Sequence, residues 1–471
     1  MREHVEREVK LVPGEDFRLP ELGGVSLPDR AFVSTYHDTP DLRLARHGVT
    51  FRHRIEDGTG LWQLKLPRGA SRAELEQPGP PAWPPAELLA LLVGYLRGAE
   101  LVRVARLRTR RKTVRKDGAE IVDDSVAVLD GQRVLSRFRE LEVELLDGDE
   151  PVLRSLEKAL RHAGATEPDR FEPKLYRVLE LAYPAEHVEI PPDATPGEAL
   201  GAALAEQYRR LLAHDPGTRL GTDPEDLHQM RVASRRARAF LRAARPLLDP
   251  EWMDELRGEL GWLGSTLGPA RDLDVLLEHV RAEVAALGTD GEPLHGLVET
   301  LENEREQVRA AVLAALSDER YLALLDRLEE AQSPHLAAGE AVTLAELWAD
   351  EFRRTRRTFS GLGSESSDAE LHAGRIRAKR ARYAAELAAH ELGRSGERFV
   401  AAAKKLQDVL GEHQDAFVAE ERITAWAEGN ADAASAAERL LEHERHRRTR
   451  ARAEWPSAWK TLKRRGRRAQ P

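Results

Sequence analysis

The chain has 471 residues, with 72 lysines and arginines against 81 aspartates and glutamates, a formal net charge of −9 and no cysteine. That length calls for at least two cores, and a hydrophobic share of 41% can build them, which excludes general disorder. The absent thiols exclude a disulfide scaffold, thiolate zinc sites and cysteine nucleophiles.

In chain order, Met1-Arg2-Glu3-His4-Val5-Glu6-Arg7-Glu8 is too charged for a signal peptide. Residues 1–182 then read as short alternating segments. Val5 to Leu11, Phe51 to Ile55, Leu61 to Leu66 and Leu141 to Leu145 carry the period of two expected of strands. Asp57-Gly58, Asp117-Gly118, Asp130-Gly131 and Asp147-Gly148 mark turns between them. Helices are expected at Pro85 to Arg97 and Glu150 to Ala163. The longest apolar run, around Leu88 to Leu96, falls short of the ~20 residues of a membrane span.

The polar faces of these strands are sorted by charge. Glu6, Glu8 and Lys10 share one face; so do Arg52 with Arg54, Gln63 with Lys65, Arg106 with Arg108 and Arg110, and Glu140 with Glu142 and Glu144. One reading is a sheet with a single solvated side. The other closes the strands into a barrel with the polar faces inward. A lumen of guanidinium and ammonium groups would hold a polyanion. Carboxylates clustered beside them repel unless a hard cation such as Mg²⁺ or Mn²⁺ lies between.

Residues 183–196, with Pro184, Pro191, Pro192 and Pro196, read as a linker. Beyond it lies an all-helical region rich in alanine, leucine, arginine and glutamate, which repeats itself. Leu227-His228-Gln229-Met230-Arg231 through Arg238 matches Leu371-His372-Ala373-Gly374-Arg375 through Arg382 at an offset of 144. With a one-residue slip, Leu263 through Gly268 to Asp272 matches Leu406 through Gly411 to Asp415. Two repeats at about 197–330 and 340–465 follow, joined through Ala331 to Gly339.

His228, Arg231, Arg235, Arg238, Arg242 and Arg245 recur every three or four residues, so they share one helix face. His372, Arg375, Lys379 and Arg382 repeat the pattern. Two such stripes suit an extended polyanion, and an ordinary solvated face is the plainer alternative. Trp252, Met253, Trp262 and Trp348 are expected in the core. From Arg445 to Pro471 eleven lysines and arginines face the lone acid Glu454; Trp455 and Trp459 suggest packing of its first part, and residues 466–471 a disordered basic tail.

Taken in order, Glu6-x-Glu8-x-Lys10, Tyr36 to Asp41, Gly48 to Arg54, Trp62 to Lys65, Arg72-Ala73-Glu74, Arg108-Thr109-Arg110, Asp123-Asp124, Glu140 to Glu144 and Lys174 resemble the CYTH domain of the triphosphate tunnel metalloenzymes. The resemblance implies an eight-stranded antiparallel tunnel that hydrolyses a triphosphate with Mg²⁺ or Mn²⁺. It implies phosphate clamps at Lys10, Arg52, Arg54, Lys65, Arg108 and Arg110. Metal ligands would be Glu6, Glu8, Asp124, Glu142 and Glu144, with Glu140 beside them, and Lys10 or Lys174 would orient or deprotonate the attacking water.

The repeated Leu-His-x-x-Arg stripe, each copy followed by Leu-Gly-x-x-x-x-Asp, resembles the CHAD domain. That implies paired helical bundles binding inorganic polyphosphate through His228, Arg231, Arg235, Arg238, Arg242, His372, Arg375, Lys379 and Arg382, with Lys404 and Lys405 on the next helix. The expected protein is therefore α+β and multidomain: a triphosphatase tunnel at 1–182 and a duplicated helical unit at 197–465. Its expected ligands are inorganic triphosphate and polyphosphate, its location the cytoplasm, extending to polyphosphate granules. The alternatives are a tunnel acting on thiamine triphosphate or nucleoside triphosphates, ATP cyclisation included, and a non-catalytic polyphosphate binder. A nucleic-acid binder is a weaker alternative, and oligomeric state is left open.

Overall fold

The computed structural model describes residues 2–68, 71–147, 149–168, 173–185, 187–191, 193–337, 342–363 and 365–470, and for residues 2–6 the backbone alone. The chain divides into two compact units, Met1–Glu186 and His187–Pro471.

The first unit is an antiparallel sheet of eleven strands. They are β1 (Arg2–Glu6), β2 (Glu8–Pro13), β3 (Val25–Ser26), β4 (Arg30–Asp38), β5 (Thr50–Glu56), β6 (Thr59–Arg68), β7 (Ser71–Pro78), β8 (Val102–Lys116), β9 (Ala119–Asp130), β10 (Arg133–Leu145) and β11 (Ala165–Thr166). The predicted hairpins form where Asp-Gly supplies two positive φ angles: 48° and 76° at Asp57-Gly58, 50° and 77° at Asp117-Gly118. Gly148 lies outside the described residues.

The expected closed eight-stranded barrel is corrected. The sheet is open, in the order β1-β7-β6-β5-β4-β8-β9-β10-β2-β11, with β3 paired to β8. The single N-terminal strand expected over Val5 to Leu11 is broken at Arg7: β1 pairs with β7 and β2 with β10. The partner changes there, so among the described residues no ladder hydrogen bonds join the two ends of the sheet, and β11 extends one of them.

Among the described residues five helices accompany the sheet: α1 (Arg43–Arg46), α2 (Ala86–Ala90), α3 (Val93–Leu96), α4 (Glu150–His162) and α5 (Lys174–Leu179). Asp149 caps α4 through the Val152 amide. Its Leu153, Leu156 and Leu160 pack on Leu11, Ile121, Leu141 and Val143, the apolar face of β2, β9 and β10. On the opposite face Leu175 and Tyr176 of α5 pack on Tyr36, Leu107 and Val126. That packing delivers Lys174, at the start of α5, to the polar side of the sheet.

The second unit is helical: α6 (Pro196–Leu220), α7 (Pro224–Ala243), α8 (Pro250–Ala286), α9 (His295–Leu316), α10 (Glu319–Glu330), α11 (Leu344–Ser360), α12 (Asp368–Leu387), α13 (Ala389–Ala427) and α14 (Ala434–Ala469). The duplication is exact at one pair: α7 starts at 224 and α12 at 368, a difference of 144, and both run 20 residues. Asp223 caps the first and Ser367 the second. Gly339 of the expected join lies outside the described residues. Trp348 and Met253 are fully buried, as core side chains should be, whereas Trp262 lies only half-buried with Arg320 4.4 Å over its ring.

The expected disordered tail is corrected as well. α14 continues to Ala469 because it has its own apolar side: Trp455 and Leu462 are buried, and Trp459 stacks on Phe359 at 4.2 Å. Among the described residues no helix is long and apolar enough to cross a membrane.

Candidate functional site

In the first unit, strand register decides which side chains meet. Glu142 pairs with Lys10, Glu140 with Asp124, and Arg111 with Asp124, so these five share one face across β2, β10, β9 and β8. Lys10 Nζ bonds to Glu142, lies 3.1 Å from Glu140 and 3.6 Å from Glu8. Lys174 Nζ sits 2.8 Å from Glu142, 2.9 Å from Glu140 and 3.1 Å from Asp124. Arg111 holds Asp124 with both arms, at 2.9 and 2.7 Å, and reaches Glu142 at 3.5 Å. Three cations, Lys10, Lys174 and Arg111, and three carboxylates, Asp124, Glu140 and Glu142, thus form one buried network, with Glu8 at its edge.

Burial opposes charge on the Lys10 ammonium, but Glu140, Glu142 and Glu8 outweigh it and hold its pKa above the usual lysine range. Lys174 is raised the same way by Glu140, Glu142 and Asp124. Both stay protonated at neutral pH, which suits them to orient or donate rather than to take a proton. Burial would raise Glu142, yet Lys10 and Lys174 hold it well below the carboxylate range. Glu140 ends raised, because burial dominates there.

The same face continues over β4, β5 and β6. Tyr36 pairs with Arg52, Ser34 with Arg54, and Arg52 with Gln63. Arg52 donates to Gln63 at 2.8 Å and to the Tyr36 hydroxyl at 3.0 Å. Arg54 and Arg111 lie over the Phe32 ring, at 4.5 and 5.4 Å from its centre, which joins the arginines of β5 to the acid network. Lys65 Nζ lies 3.5 Å from Glu74.

The structure does not bring Arg108 and Arg110 to this face. Alternation along β8 sends Leu107, Thr109 and Arg111 inward and leaves Arg108 and Arg110 exposed. Arg111 was missed because Arg106, Arg108 and Arg110 offered an equally regular pattern one residue out of phase. Of the proposed metal ligands, Glu8, Asp124 and Glu142 lie in or beside the network. Glu144 pairs with Glu8 across β2 and β10, and the Glu6 side chain lies outside the described residues. Two carboxylates directly opposite each other repel, and a hard cation between such oxygen donors would relieve that. This donor set therefore fits Mg²⁺ or Mn²⁺, although among the described residues no three acidic or histidine side chains already converge as an ion cage.

In the helical unit α7 and α12 pack together, with Arg235 donating to the Tyr383 hydroxyl at 3.0 Å and Arg236 to Glu386 at 2.6 Å. Beside them lies a cavity of about 730 Å³. His228, Arg231, Arg235, His372, Arg375, Lys379, Arg382 and Lys404 line it, eight of the expected residues drawn from both repeats. Asp272 pairs with Arg231 at 2.7 Å, and Gln414 with His372 at 3.0 Å. Burial and the charges of Arg375, Arg235, Arg231 and Arg382 push the Lys379 ammonium down to about 7. Burial and Arg271 likewise lower His228.

Arg238, Arg242 and Lys405 are not among the lining residues. Arg238 and Arg242 stand about 15 and 21 Å beyond His228 along the axis of α7, at ~1.5 Å rise per residue, past the last residues of that helix to line the cavity. Arg238 instead turns toward Gly261, and Lys405 pairs with Glu454 at 2.9 Å. Arg271, His279 and Arg447 line the cavity unannounced by the stripe. They come from α8 and α14; Arg271 stands beside Asp272 in the repeated Leu-Gly-x-x-x-x-Asp segment, whereas nothing in the local spacing marks His279 or Arg447.

Comparison with known proteins agrees with both halves. Residues 4–171 match the CYTH domain family and residues 202–424 the CHAD domain family. An uncharacterized protein of Mycobacterium tuberculosis is 31% identical over 470 residues, covering 89% of this chain and 88% of its own. The thiamine-triphosphatase of Homo sapiens is 41% identical over 66 residues, 14% of this chain and 27% of its own. Among solved structures, the CHAD domain of Ricinus communis aligns at 26% identity with a TM-score of 0.48, covering 60% of this chain and 97% of that one.

Proposed function

This chain belongs to the CYTH–CHAD two-domain proteins, and from that premise we propose that its first unit hydrolyses a linear triphosphate with Mg²⁺ or Mn²⁺ while its second binds inorganic polyphosphate. The observation that carries the reading is the shared polar face of the sheet, where Arg54 and Arg111 flank Phe32, with Arg52 on Tyr36 of the same face, beside the carboxylates of Asp124, Glu140 and Glu142.

Arg52, Arg54, Arg111 and Lys65 neutralise the phosphate oxygens, the guanidinium groups in bidentate fashion. Glu8, Asp124, Glu142 and Glu144 would hold the cation, with Glu6 and Glu140 as further donors. A divalent ion bound there supplies Lewis-acid neutralisation of the transferred phosphoryl group. Lys10 and Lys174, fixed as ammonium ions by the surrounding acids, orient the water and stabilise charge that develops on the leaving oxygen. Water adds to the terminal phosphorus as the bridging P–O bond breaks, and inorganic triphosphate yields pyrophosphate and orthophosphate. The second unit offers eleven basic or histidine side chains to one cavity, among them Arg271, His279 and Arg447, an arrangement suited to a repeating phosphate chain.

The short match to a thiamine-triphosphatase favours one second reading, an organic triphosphate. Phosphate release measured on inorganic triphosphate, thiamine triphosphate and ATP with each metal separates the two. Absence of metal-dependent release from all three, with polyphosphate still retained, would leave only a binding protein.

A further inference from the structure

The outward face of β8 carries a row of cations that the interior chemistry does not use. Arg106, Arg108, Arg110 and Lys112 stand at alternate positions, and the last three are exposed. The row spans about 20 Å at ~3.3 Å per residue. Beside Arg110 the register places Ala31 and Ser125, and beside Arg108 it places Val33 and Ala127. Beyond those small residues β10 presents Arg137 opposite Ala127 and Arg139 opposite Ser125. The nearby acid Asp123, opposite Lys112, is already held by both arms of Arg139 at 2.8 and 2.7 Å. Among the described residues no carboxylate forms an ion pair with Arg108, Arg110, Lys112 or Arg137.

Like charges on adjacent positions of one sheet face repel, and here the small neighbours leave an open trough between them. A cavity of about 680 Å³ at the Lys112 end of the row is lined by Arg110, Lys112, Asp123, Ser125 and Arg139, together with Asp29, Arg30 and the inward-turned Arg111. A row of point charges on a flat floor suits a long polyanion better than a compact one. Among the described residues, β4, β8, β9 and β10 carry no exposed aromatic ring on which bases could stack, which single-stranded nucleic-acid surfaces use for affinity.

We propose that this outer face of β8 and β10 is a second polyphosphate-binding surface, which holds an extended stretch of a long chain outside the interior site. The inference rests on polyphosphate being a ligand of this protein, but not on hydrolysis. It is tested on the full chain carrying Arg231→Glu and Arg375→Glu, which disables the helical cavity. Long-chain polyphosphate should still bind that variant, with a salt-dependent affinity. Adding Arg108→Gln, Arg110→Gln and Lys112→Gln should weaken the remaining binding at least tenfold and reduce the log–log salt slope by about 2, three contacts at ~0.7 each. Turnover of inorganic triphosphate should not change. A direct readout on the unmutated chain is acylation of Lys112, which long-chain polyphosphate should block and inorganic triphosphate should not.

Binding abolished by the cavity substitutions alone overturns the inference and leaves the proposed hydrolysis standing. So does an unchanged affinity after the three glutamine substitutions, or single-stranded RNA that competes as well as polyphosphate. No hydrolysis by the unmutated chain, with polyphosphate still bound by the cavity variant and released by the three glutamine substitutions, would instead count against the proposed enzymatic reading and leave this surface in place.

Discussion

The two units handle charge in opposite ways. On the inner face of the sheet Lys10, Lys174 and Arg111 are matched by Asp124, Glu140 and Glu142, and the mutual pull keeps both lysines charged. In the helical cavity cations outnumber acids, and Lys379 among them is driven down to about 7. A matched network is rigid and pre-organised, which suits chemistry on a small charged group. An unmatched one carries a standing electrostatic cost that a polyanion removes, so its affinity is paired with sensitivity to salt and pH.

The hardest way to break this contrast is at its most matched point. Glu142→Ala leaves Lys10 and Lys174 short of a shared partner, and losing one member of a buried ionic cluster costs about 3–5 kcal/mol. Urea denaturation should show that loss, and phosphate release from triphosphate should fall by about 10²–10³-fold or more. Full activity in a stably folded Glu142→Ala protein would remove the network from the reaction.

Charge reversal in the cavity tests the other side. Arg231→Glu with Arg375→Glu should weaken polyphosphate binding about a hundredfold at low salt, with the deficit narrowing as salt rises. Triphosphate turnover should be unaffected, and calorimetry beside a phosphate-release assay would show both.

The pH response sharpens the comparison further. Lys379 is only partly protonated at neutral pH in the free protein; a polyanion beside it raises its pKa, so binding takes up a proton. Affinity should therefore rise as pH falls from about 8 to about 6, by up to about tenfold per unit for one proton. Lys379→Arg, charged throughout, should flatten that dependence. Titration in buffers of different ionisation enthalpy reads the proton directly, and no uptake would show that Lys379 does not face the ligand.

The smallest effects belong to residues on the stripe but off the cavity. Arg238→Gln and Lys405→Gln should shift polyphosphate affinity by no more than about 0.5 kcal/mol. A larger loss would mean the bound chain runs further along α7 and α13 than the cavity does.

Much of the helical unit was legible because a repeat is a long-range statement written in one dimension. The offset of 144 between His228 and His372 placed two helices of equal length side by side in the fold. The alternating strands were legible too, since apolar positions such as Leu141 and Val143 fix a buried face under α4. Partners that arrive from distant helices, such as His279 and Arg447, left no local signal.

Sequence by itself determined that the chain has a sheet-forming half and a duplicated helical half, and that both concentrate charge. Only tertiary structure decided which charges meet. Along Arg106 to Lys112 the inward face holds one apolar residue, Leu107, and ends on Arg111, so cations stand on both faces and charge alone does not tell which of them turn inward. Pairing with β4 and β9 turned Arg111 inward and Arg108 and Arg110 out. At Arg7 a change of strand partner opened a sheet that alternation alone would have closed. Along α7 the extent of the packing with α12 and its neighbours decided where the cationic stripe ceases to line the cavity. Alternation and periodicity are properties of one segment, whereas the meeting of charges is a property of two, and only packing supplies the second.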